Sequence, residues 1–133
     1  MNQVYASLGR QPEAMRAGRR GVERAERDFE KNPENPRPAY FIATTLAKMG
    51  EASAAERWAN TALAIAPDDY LTQYNIACYY SVSGKFDPAF ATLARLLPLG
   101  KADMKDWILG DSDLTPLHAD PRWKGIERPA QRG

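Results

Sequence analysis

Between Pro36 and Gly100 the apolar and small residues fall at helical steps, interrupted at regular points by glycine and proline. Ala39, Ile42, Ala43 and Leu46 recur at three- and four-residue intervals and stop at Gly50, the spacing of one face of an α-helix. Gln73, Ile76, Ala77 and Tyr80 repeat the series and stop at Gly84, 34 positions further on. The shift recurs in the following segment, where Gly50-x4-Ala55 returns as Gly84-x4-Ala89. The pattern predicts two helical hairpins in register. Asn35 and Pro36 open the first helix and Gly50 closes it in a left-handed conformation. Ser53 to Glu56 has the form of a capping box for the next helix, which Pro67 ends. Asp68 or Asp69 caps the third, Gly84 closes it, and Asp87-Pro88 opens the fourth.

Tyr5-x3-Gly9-x4-Ala14 resembles the hairpin turns, but Gly9 lies 41 positions before Gly50 rather than 34. Seven added residues make about two helical turns, so Pro12 to Lys31 is predicted as one long helix with Met15, Val22, Ala25 and Phe29 inward. Arg16, Arg19, Arg20, Arg24 and Arg27 alternate along it with Glu13, Glu23, Glu26, Asp28 and Glu30, the mark of a solvated face rather than a phosphate site. Ala43, Ala55, Ala62, Ala77 and Ala89 stand where paired helices must come close. Beyond Gly100 the repeat ceases. Asp103 to Leu109 reads as a short helix, Asp111 to Leu117 as a turn without regular structure, and Trp123 as the start of a last helical turn. Trp107, Ile108, Leu114, Leu117 and Trp123 have no repeat counterpart, so they are expected to cover the open apolar end of the second hairpin.

Composition then narrows the function. Eighteen basic and seventeen acidic residues give a net charge of +1, too little to draw the chain to nucleic acid or an acidic membrane. There is no apolar run of the roughly 18 residues a membrane span needs, and the opening residues give no expectation of a signal peptide. One cysteine excludes an internal disulfide, so the cytoplasm is the expected compartment. His118 is the single histidine, 40 positions from Cys78. A Cys–His nucleophile needs the two in hydrogen-bond reach and a third group orienting the base. A zinc site takes about four N or S ligands, and the acids from Asp103 to Asp120 lack calcium-loop spacing. The chain is therefore read as non-catalytic, with neither cofactor nor metal.

The 34-residue period and the small-residue pattern resemble the tetratricopeptide repeat (TPR). The run from Trp107 to Trp123 (WILGDSDLTPLHADPRW) is similar to the ending of TPR regions that follow effector domains in bacterial signalling proteins, such as class III adenylate and guanylate cyclases. His118 and Trp123 depart from it, standing where that family has a basic residue and a phenylalanine. The resemblance implies an all-α fold: a right-handed superhelix of antiparallel helix pairs with a short C-terminal capping helix. One domain is expected over 1–126, made of a partial repeat (1–35), two repeats (36–69 and 70–100) and a capping tail (101–126), followed by a disordered 127–133. It also implies a scaffold that binds a protein or peptide on the concave face formed by the first helices. Tyr40, Thr44, Lys48, Tyr74, Asn75, Cys78 and Ser81 are the expected partner-binding residues. Asn75 is the one residue matching the clamp that holds chaperone C-termini, so that narrower function is not expected. The alternative is self-association through the exposed N-terminal half-repeat, giving a homodimer.

Overall fold

The computed structural model describes residues 12–99 and 102–127. Every regular element among them is helical: α1 (Pro12–Lys31), α2 (Pro36–Lys48), α3 (Ala52–Ile65), α4 (Tyr70–Val82), α5 (Phe86–Leu96), α6 (Ala102–Gly110) and α7 (Trp123–Glu127). Two 3-10 segments, Leu97–Leu99 and Ser112–Leu117, flank α6. The half-repeat before Gln11 and the segment after Glu127 lie outside the described residues. The self-association reading rests on the first of these.

The repeat is visible as repeated hydrogen bonds. After α2, the Gly50 amide donates to Ala47 O and the Glu51 amide to Leu46 O; after α4, Gly84 donates to Ser81 O and Lys85 to Tyr80 O. These pairs make the same glycine-dependent helix stop, with Gly50 and Gly84 at φ 85° and 79°. α3 and α5 each begin two residues later. Asn35 caps α2 by accepting from the Arg37 amide, and Asp69 caps α4 by accepting from Thr72 N at 2.9 Å. The expected capping box is not used. α3 already starts at Ala52, which places Ser53 inside the first turn, and its N-terminus has no side-chain cap. Glu51 instead pairs with Arg19 of α1.

Short connections make the successive pairs from α1 to α5 hairpins. α2 is the hub, packing on α1, α3 and α4, while α4 also packs on α5 and on the 3-10 segment Ser112–Leu117. Ala39, Ala43, Ala55, Ala62, Ala77 and Ala89 are all fully or almost fully buried, as the close helix crossings require. The apolar interior forms two clusters. One joins α1 to α3 with the inner side of α4, and the other joins α4 and α5 to the C-terminal segments. Phe29 and Trp58 close the first cluster edge to face, with ring centroids 5.3 Å apart.

The tail packs as an integral layer. Ile108, Leu114 and Leu117 are completely buried, and Trp123 and Ile126 nearly so. Arg122 ties the last turn back to α5, pairing with Asp87 at 2.8 Å and lying 4.6 Å over the Phe90 ring. Two expectations fail here. Asp111 to Leu117 is not an irregular turn, because Ser112–Leu117 winds as a 3-10 helix capped by Asp111. Trp107 does not cover the hairpin end either, being 54% exposed.

Gly84→Ala should destabilise by about 1–2 kcal/mol, the cost of a left-handed conformation for an L-residue. A Cβ there meets nothing within 4 Å, so Gly84→Asn should recover part of the loss in urea unfolding. Leu114→Ala should cost about 2–5 kcal/mol as a buried cavity mutation, while Trp107→Ala stays within about 0.5 kcal/mol.

Candidate functional site

α2 and α4 lie side by side, and each turns one face away from its hairpin partner. On α4 that face carries Leu71, Tyr74, Asn75, Cys78 and Ser81, at helical steps. The C-terminal tail covers its later part. Tyr74 OH donates to the Asp111 carboxylate, Cys78 Sγ lies 3.8 Å from the same oxygen, and Ser81 Oγ donates to Asp113 O at 2.8 Å. From α2, Lys48 pairs with Asp113 at 2.6 Å. Burial and the adjoining carboxylates push the Tyr74 hydroxyl and the Cys78 thiol far above their ordinary values, because both effects oppose a further negative charge. Cys78, Asp111 and Asp113 bring possible ligand atoms within 4.8 Å of one another. That set suits a metal poorly: burial and the carboxylates favour the protonated thiol, and the Lys48 ammonium already pairs with Asp113, one of its two carboxylates.

The earlier part of the same face is open. A groove of about 790 Å³ runs between α1, α2, α4 and α6. Phe41 of α2, Leu71 of α4 and Trp107 of α6 line it, at 46%, 45% and 54% exposure. They are the exposed large hydrophobics among the described residues. Arg24, Lys31 and Arg37 add three positive charges to the lining against one negative, Asp28. The Trp107 ring leans on Tyr74, with centroids 5.7 Å apart, and so stands where the covered and open parts meet. Behind Phe41 lies Gly21 of α1, where an added Cβ would come within 3.3 Å of the phenyl ring.

The seven expected binding residues thus separate. Tyr40 and Asn75 line the groove; Tyr40 is buried to its edge, and Asn75 donates to Leu71 O of its own helix. Thr44 is half-buried and donates to Tyr40 O. Tyr74, Cys78 and Ser81 are buried under the tail, at 2%, 2% and 1% exposure, and Lys48 is held by Asp113. In this conformation, therefore, these four serve internal contacts. Burial follows from what was expected separately of the tail: it needs an apolar face to pack on, and α4 supplies one. Phe41 and Trp107 had no place in the expected set. Phe41 follows Tyr40 on a helix whose inward stripe runs through Ile42, and an aromatic outside that stripe was the available signal. His118 stacks on Trp123 at 4.4 Å between centroids, in the C-terminal turn.

Among the described residues no helix is long and apolar enough to cross a membrane. Comparison with protein-family models, curated proteins and solved structures gave no match.

The protons held by Cys78 and Tyr74 fix a pH dependence. Above the ordinary thiol value of 9.0 the unfolded chain releases a proton that the folded chain keeps. The unfolded state then binds fewer protons, so stability falls as pH rises, by up to about 1.4 kcal/mol per pH unit for each such group. Urea midpoints between pH 8 and 10 should decline, and Cys78→Ala should flatten the first part of the decline.

Proposed function

We propose that this chain is a non-catalytic protein-interaction module of tetratricopeptide type. In this reading α2–α3 and α4–α5 are successive repeats, α1 is the second helix of a partial one, and the first helices line the concave side of a right-handed superhelix. The 34-residue register of identical helix stops supports the repeat assignment. The similarity of the tail to TPR regions of bacterial signalling proteins supports a role accessory to such an effector.

One observation carries the binding function. Phe41, Leu71 and Trp107 come from three different helices, are each about half exposed, and line a single groove. Scattered exposed apolar residues need no explanation, whereas convergent ones mark an interaction site. Aromatic anchors of this kind concentrate interface energy. The occupant proposed is a peptide segment of a protein partner, since a groove between parallel-lying helices accepts an extended or helical chain.

The test is retention of partners from a bacterial lysate by the intact chain and by Phe41→Ala and Trp107→Ala variants with unchanged circular dichroism. Hot-spot truncation costs at least about 2 kcal/mol, roughly 30-fold in affinity, so a specific partner should be lost from both variants. Tyr74→Ala, by contrast, should lower the melting temperature. A partner retained equally by all three would place binding elsewhere. Light scattering of the free chain tests self-association: a dimer disrupted by Trp107→Ala would assign the groove to a second copy.

A further inference from the structure

The groove's own charges and the way its neighbour is filled indicate what it takes. Arg24 and Lys31 of α1 and Arg37 of α2 line it with Asp28, three cations against one anion, in a chain whose net charge is only +1. Among the described residues none of these three cations makes an ion pair, although Arg19, Lys48 and Arg122 do. The local excess is thus left unneutralised beside half-exposed apolar side chains. A second copy fits such a face badly, because pairing it with itself would set like charges together.

The adjoining stretch of the same α4 face provides the second argument. There the chain fills its own surface, and the segment it uses is acidic with a buried leucine. Asp111 receives the Tyr74 hydroxyl, Asp113 receives Lys48, and Leu114 is completely buried. Carboxylates next to an apolar anchor are therefore what polar groups of α2 and α4 already accept further along the same face. The open part sets more cations beside apolar side chains, with Arg24, Lys31 and Arg37 lining it together with Phe41, Leu71 and Trp107.

Resting on the peptide-binding reading above, we infer that the partner segment is acidic, with Asp or Glu side chains flanking an aromatic or branched aliphatic anchor. The anchor packs between Phe41, Leu71 and Trp107, and the flanking carboxylates meet Arg24, Lys31 and Arg37. Neither a free C-terminus nor a phosphate is required. A nucleic-acid strand is disfavoured by Asp28 in the lining and by the small number of cations, since phosphate binding grows with each charge neutralised.

Three labelled eight-residue peptides test this: Asp-Glu-Asp-Leu-Phe-Asp-Glu-Asp, and the same peptide with every acid replaced by Gln or by Lys. Binding is read by probe anisotropy and by Trp107 emission, with Trp107→Phe identifying that signal. The acidic probe should bind at least about ten-fold more tightly than the Gln probe in about 50 mM salt, and the gap should narrow in about 0.5 M salt as the rim charges are screened. Arg24→Gln with Arg37→Gln should weaken the acidic probe and leave the Gln probe unchanged. Trp107→Ala should weaken both. Gln or Lys probes binding as tightly as the acidic one would overturn the acidic partner while leaving the groove intact. An eight-nucleotide uridine strand binding in preference to all three would also overturn it, in favour of nucleic acid. No movement of Trp107 emission with any probe at millimolar concentration would sink the peptide-groove reading itself.

Discussion

The structure depends on helix axes approaching closely, and alanine is what permits the approach. Ala39, Ala43, Ala55, Ala62, Ala77 and Ala89 sit at the crossings almost without exposure, where a longer side chain would force the axes beyond the about 8–10 Å of packed helices. Because α3 and α5 lie so close behind them, α2 and α4 come side by side and present adjoining faces on the other side. Both the tail's docking surface and the groove are built on those faces. Neither would exist if the hairpins were splayed.

That shared surface is divided by composition. Where Tyr74, Cys78 and Ser81 face outward from α4, the tail descends on them, and its aspartates accept the buried Tyr74 hydroxyl and pair with the part-exposed Lys48 ammonium. A buried polar group without a partner costs about 1–3 kcal/mol, so the hydrogen bonds are conditions of docking there, while Ile108, Leu114 and Leu117 supply the apolar gain. Toward the start of α4 the tail turns away at Trp107 and the surface stays open. A covered face that closes a core and an open groove thus occupy successive parts of one helix.

Local structure was legible in the sequence because each signal acts over a few residues. Gly50 and Gly84 stop helices through their own backbone, Asn35 and Asp69 cap through their own side chains, and the stripe of α1 follows from its periodicity. Ser53 misled because a capping box also depends on where the preceding turn releases the chain, and the bonds after Gly50 release it early enough for Ala52 to be helical. The candidate site was legible only in part, for a different reason. Facing outward on a helix is a local property, but remaining outward depends on what a distant segment does. Tyr74 and Cys78 point away from α5 as their spacing requires, then meet Asp111, 37 and 33 residues later. Trp107 shows the converse: an aromatic in an apolar tail reads as core, yet its side of α6 turns toward Tyr74 and the groove.

Gly21 adds a determinant of the site that carries no chemistry of its own. The ring of Phe41 stands against this glycine at a distance that a single methyl group would contest, so one wall of the groove is shaped by the absence of a side chain on the opposite helix. The shape of the groove is thus partly written in negative relief. A change at Gly21 would leave every contact-making residue intact while re-aiming one of the aromatic surfaces on which a ligand would rest. Neighbouring proteins with the same lining residues but a different residue at that position would offer a differently shaped mould.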